Sequence, residues 1–202
     1  MGIIIIDGVS ASGKSILLED VQTKLLKERL KFTKLILSEH LTERYFEDKK
    51  PTEKMVSLHI ENILELVKNI QNIQDNSQFK DNKKVVSILI ERLFLTFMSR
   101  GLLNDKFFIE KGSFLEDLNI HQVLLIIPKE DFEYRLESTL ERRNKYWLEF
   151  INSLGGLTGA ISHFSKQQEK MIKASETLNK YMKVTHITVS NTHKTSIDKI
   201  II

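Results

Sequence analysis

The chain has 202 residues, 41% hydrophobic and 28% charged, with 30 Lys and Arg against 27 Asp and Glu. That length suits one domain with a sizeable core, and that composition excludes a disordered chain. A formal surplus of only +3, on scattered basic residues, offers no stripe for duplex nucleic acid, and zero cysteines exclude disulfides and thiolate metal sites.

The first element is an apolar run over residues 3–7, read as a strand. Directly after it, Gly8-Val9-Ser10-Ala11-Ser12-Gly13-Lys14-Ser15 matches the phosphate-binding pattern G-x-x-x-x-G-K-[ST] at every defined position. The glycines let the backbone bend so that successive N–H groups point inward, and the next helix adds its positive N-terminal end. Gly8, Ser10, Ala11, Ser12, Gly13, Lys14 and Ser15 are therefore the expected cradle of a nucleoside triphosphate, with Lys14 on its outer phosphates and Ser15 on Mg²⁺. ATP and Mg²⁺ are the expected cofactors. Magnesium carried by the nucleotide is the one metal suggested, since the six histidines never form H-E-x-x-H.

Ile16, Leu17, Leu18, Val21, Leu25, Leu26 and Leu30 recur near helical spacing, which predicts a helix after the cradle. A second strand is read over 35–39. Val56, Ile60, Ile63, Val67 and Ile70 step by three and four, predicting a long helix over 52–73 behind Pro51 and Thr52. Residues 75–84 are polar and read as a connection into a third strand over 85–90. A fourth strand is read over 123–127, closed by Pro128, with Glu130 and Asp131 supplying the negative charge favoured in the first turn of a helix over 131–150. Three glycines in 155–159 suggest a hinge or loop between that helix and another over 160–181, and a fifth strand is read over 185–189. The alternation predicts an α/β fold with three layers, a five-stranded parallel sheet with helices on both faces. It reads as a single domain over 1–202 with a lid-like helical segment about 131–160. The N-terminal apolar run is too short for a signal peptide, and the apolar stretch 85–98 is broken by Glu91 and Arg92. No membrane partner and a cytoplasmic location are the expectation.

No N-K-x-D follows the cradle, which argues against a GTPase, and no S-G-G-Q signature supports a transport ATPase. The N-terminal cradle, the small size and the acids behind later strands resemble the P-loop nucleoside and nucleotide kinases, especially the deoxynucleoside kinase and thymidylate kinase branch. Glu91-Arg92-Leu93-Phe94-Leu95-Thr96 resembles that family's acid-Arg-x-x-x-Ser motif. The resemblance implies that Glu91 organises Mg²⁺ and its waters while Arg92 holds the acceptor or the transferring group. Glu39, in Leu35-Ile36-Leu37-Ser38-Glu39-His40, resembles the acid that takes the acceptor's proton, although His40 stands where the family usually has proline. Arg135, Arg142 and Arg143 sit where related kinases carry lid arginines, Arg142 being the one placed with the catalytic residues. Together these imply transfer of the γ-phosphoryl of ATP to a small-molecule acceptor, a nucleoside or nucleoside monophosphate. A kinase of another small molecule on the same scaffold, and a non-catalytic ATP-binding regulatory module, stand as alternatives. Pairing as a homodimer, common among the related kinases, is left open.

Overall fold

The computed structural model describes residues 3–27, 33–46, 50–76, 86–140 and 143–189. Five parallel strands form one sheet: β1 Ile3–Gly8, β2 Thr33–Leu37, β3 Val86–Glu91, β4 Ile120–Ile126 and β5 Lys183–Thr188, in the order β2-β3-β1-β4-β5. Seven helices accompany them among the described residues: α1 Lys14–Lys27, α2 Glu53–Asn76, α3 Phe94–Ser99, α4 Asp105–Asp117, α5 Phe132–Leu140, α6 Lys145–Ser153 and α7 Gly156–Leu178. The expected class, α/β with five parallel strands in the middle layer, is what the chain adopts.

Isoleucines and leucines at consecutive positions explain the sheet. In β1 the neighbours Ile5 and Ile6, which point to opposite faces, are both fully buried, so both faces of the central strand are covered, as parallel strands require. In register, Ile5 faces Ile90 of β3, Ile6 faces Glu91, and Gly8 faces Leu125 of β4. The carboxyl ends of these three strands therefore finish side by side. That edge is where ligands gather in open α/β sheets.

Several expected boundaries move, with β2 at 33–37 rather than 35–39 and β5 at 183–188 rather than 185–189, and three further shifts have a local cause. β4 starts at Ile120, three residues before the apolar run, because the buried amide of Gln122 finds partners inside the sheet: its Nε2 donates to Ile5 O at 3.3 Å and to Asp7 Oδ2 at 3.1 Å. The single helix expected over 131–150 is two, α5 and α6. Asn144 divides them by accepting from Trp147 N at 3.0 Å, a side-chain cap that begins a new helix. The last helix starts at Gly156 rather than at 160. Gly155 stands at φ 94°, where a side chain is disfavoured, and turns the chain sharply from α6 into α7. A Cβ on Gly159 would meet Leu154 O at 1.8 Å, so the glycines that read as a hinge form a tight corner.

α7 packs on α3, α5 and α6 and reaches β4. Its Gln168 grips the end of that strand, accepting from Ile127 N at 2.7 Å and donating to Ile127 O at 2.9 Å. No helix among the described residues is long and apolar enough to cross a membrane.

Candidate functional site

Between β1 and α1 the backbone makes the expected bend. A side chain on Gly8 would place Cβ 2.6 Å from Ser12 Oγ and 3.1 Å from Leu125, so only glycine lets the loop lie against β4. The loop closes with Ser12 N donating to Val9 O at 3.3 Å, and α1 starts at Lys14 with Leu17 N donating to Gly13 O. Amides of the first turn ahead of Leu17 have no carbonyl one turn back in the helix, which leaves them as donors for an anion. Lys14 is buried inside the bend, its Nζ donating to Gly8 O at 3.0 Å and Val9 O at 2.9 Å. Burial pushes its pKa well below the ordinary lysine value and the charge of Arg92 adds to this, while Glu91, Glu39 and Asp7 oppose it.

Arg92 follows β3 with φ 58°, a left-handed conformation that costs a residue with a side chain about 1–2 kcal/mol. Three contacts hold it there. Arg92 N donates to Ile6 O at 3.0 Å. The fully buried Asp7 carboxylate accepts from Leu93 N at 3.4 Å and Leu95 N at 3.3 Å through one oxygen, and from Thr96 N at 3.2 Å and Thr96 Oγ1 through the other. Thr42 Oγ1 donates to Glu91 O at 2.6 Å, docking the turn after β2 on the end of β3.

That turn carries Glu39 and leads into a short 3-10 turn, Glu43–Phe46. β2 ends at Leu37, so Glu39 lies two residues beyond the strand rather than inside its end. Its carboxylate is flanked by two guanidiniums, Arg44 Nη2 at 2.8 Å from Oε1 and Arg92 Nε at 3.0 Å from Oε2. The Arg92 Nε–H is not aimed at that oxygen, so the contact is an ion pair without a hydrogen bond. Arg92 Nη1 lies 2.8 Å from Glu43 Oε2, and Arg100 Nη2 pairs with Glu43 Oε1. Positive and negative groups thus alternate from Arg44 through Glu39, Arg92 and Glu43 to Arg100.

Two cavities open on either side of this chain of charges. One, about 650 Å³, is lined by the cradle residues Ser10, Ala11, Gly13, Lys14 and Ser15, by Glu91, and by Arg135 and Arg143. The other, about 810 Å³, lies among the 3-10 turn, α3, α6 and α7. They share Ser10, Glu39, Arg44, Arg92 and Trp147, so they form one bilobed cleft.

The expected residues Lys14, Ser15, Glu39, Glu91 and Arg92 line the cradle lobe together. Arg135 Nη1 donates to Ala11 O at 3.4 Å, and the Arg143 guanidinium lies 5.1 Å over the Trp147 ring. Arg142, the lid arginine placed with the catalytic residues, lies outside the described residues. Sequence reasoning did not single out Asp7, Glu43, Arg44, Trp147, Lys166 or Lys170. Asp7 alone carried a signal, a charge closing an otherwise apolar run.

Ser15 and Glu91 fit a hydrated magnesium ion bound through phosphates, having a hydroxyl and a carboxylate on one cavity wall. Asp7 does not fit that role, because both its oxygens are engaged. Among the described residues no group of three or more His, Cys, Asp and Glu could hold a metal unaided.

No family model matches the chain, and no curated protein matches it. Among solved structures, the crystal structure of shikimate kinase from Aquifex aeolicus is similar over 96% of this chain and 88% of that one, with 17% identity and a TM-score of 0.35.

Proposed function

We propose that the chain is an ATP-dependent phosphotransferase that moves the γ-phosphoryl of ATP to a nucleoside or nucleoside monophosphate. The observation that carries this reading is the bilobed cleft: a phosphate cradle opens into a second, larger cavity through a wall of carboxylate and guanidinium groups. The second lobe offers room for an acceptor beside the phosphates.

When bound, ATP with Mg²⁺ supplies the phosphoryl group and partly neutralises it. The residues then divide the work. First-turn amides of α1 and Lys14 hold the phosphates, with the Lys14 ammonium exchanging its two carbonyl partners for phosphate oxygens. Ser15 and Glu91 hold the cation, the carboxylate directly or through water. Arg92, fixed by its strained backbone, orients the acceptor towards the phosphorus. Glu39 takes the acceptor's proton as Arg44, the more exposed of its two partners, turns towards the substrate. Arg135 and Arg143 close over the phosphates. Little covalent work falls to the protein in phosphoryl transfer, so cationic groups placed around the transferring oxygens supply much of the rate.

Incubation with γ-labelled ATP, Mg²⁺ and a panel of nucleosides and their monophosphates tests the reading. Label should pass to at least one of them. ATP affinity without any labelled acceptor would leave a nucleotide-binding module, and transfer confined to other hydroxyl compounds would leave a different kinase on the same scaffold.

A further inference from the structure

The chain as a whole is almost balanced in charge, yet its larger cavity is not. Arg44, Arg92, Arg100, Lys166 and Lys170 line that lobe against only two carboxylates, Glu39 and Glu43. Those two carboxylates are already shared among the three arginines, Glu43 alone serving both Arg92 and Arg100. Lys166 and Lys170 stand one turn apart on α7, on the face that meets the cavity, and among the described residues neither has an ion-pair partner. Five basic groups against two carboxylates give the recess a cationic surplus, which favours an anionic ligand over a cationic one.

The adjoining wall is aromatic. Trp147 stacks on Phe164 with ring centres 5.8 Å apart and an angle of 19°, and Phe150 lies 5.7 Å from Trp147. Flat apolar groups pack against such faces.

We propose that the acceptor is an organic anion with a flat body, whose fixed negative charge is read by Lys166 and Lys170 while a separate hydroxyl lies against Glu39 and Arg92. The proposal rests on the phosphotransfer reading and narrows it, setting neutral nucleosides aside. A monophosphate and a carboxylate would present the same chemistry to the two lysines.

Calorimetry on the full chain with saturating MgADP, which keeps anions out of the cradle, tests it with two matched pairs. Thymidine 5′-monophosphate is compared with thymidine, and 3-hydroxybenzoate with 3-hydroxybenzyl alcohol. At least one charged member should bind about tenfold or more tightly than its neutral partner. That preference should shrink to about twofold in Lys166→Ala/Lys170→Ala and return in Lys166→Arg/Lys170→Arg, with MgADP affinity unchanged throughout. Which pair shows the preference separates a phosphate from a carboxylate. Equal binding within both pairs, no binding by either charged probe, or a preference that survives the double alanine variant would overturn the proposal. Absent MgADP binding would count against the cradle instead, and a lysine-dependent preference for the charged probes would still stand.

Discussion

The two lobes of the cleft are built on opposite plans. The cradle takes its loop from eight consecutive residues between one strand and one helix, whereas the larger lobe draws on a 3-10 turn, α3, α6 and α7, segments that span more than a hundred residues of the chain. A loop that must bend tightly around phosphate constrains the backbone itself, so its residue types are dictated position by position. A pocket made of side chains from separate elements has no such local grammar. A loop of this kind can therefore be read from a short motif, while the lining of the larger lobe emerges only when the elements are packed.

That contrast can be broken at its strong end first. Lys14→Ala should lower transfer about 10²–10³-fold and weaken triphosphate binding with it, since it removes the one ammonium inside the bend. Unchanged affinity and rate would move the donor site elsewhere. Glu39→Gln strikes the shared wall and should cost about a hundredfold in kcat while leaving ATP affinity within about twofold. A near-normal turnover would dismiss it as base.

Asp7→Asn is expected to destabilise the chain by about 2 kcal/mol in urea unfolding, because an amide cannot accept from Leu93 N, Leu95 N, Thr96 N and Thr96 Oγ1 as a carboxylate does. It should also reduce transfer more than it reduces ATP binding, since Arg92 hangs on that turn. Equal loss of both would mean that Asp7 supports the cradle rather than the acceptor wall.

The smallest effect concerns pH. Because the Lys14 pKa is depressed in the folded chain, the unfolded chain binds that proton more readily, and stability rises with pH from the depressed value up to the ordinary lysine value. Relative to Lys14→Met, the wild type should gain stability as pH rises towards the ordinary lysine value, and the gain should level off above it. Parallel stability curves for the two proteins would show that the ammonium is not desolvated.

Sheet, layers and cradle were legible in the sequence because each follows from a short-range rule: apolar runs for buried parallel strands, a loop motif at a strand end, apolar spacing for helices. Arg92 was legible for a different reason, as a charge inside an apolar stretch that needed a justification. What stayed hidden depended on distant partners. Gln122 looks like a strand breaker until Ile5 O and Asp7 are placed beside it. Asn144 looks like one more polar residue in a long helix until its side chain caps α6. Glu43 and Arg44 lie in a segment with no periodicity, and Lys166 and Lys170 read as an ordinary solvated helix face. The glycines at 155, 156 and 159 do mark a connection between two helices, but as a close crossing rather than a slack one.

Asp7 and Gly8 are neighbours on β1, and each answers to a different room. Gly8 yields space to the loop that forms the cradle, while Asp7 moors the segment that carries Arg92 into the wall between the lobes. A single peptide unit therefore ties the two rooms together, and neither can be shifted along the sheet without dragging the other. Anyone transplanting the second lobe onto a foreign scaffold would have to carry this carboxylate across as well, or lose the alignment that makes the two halves face one another.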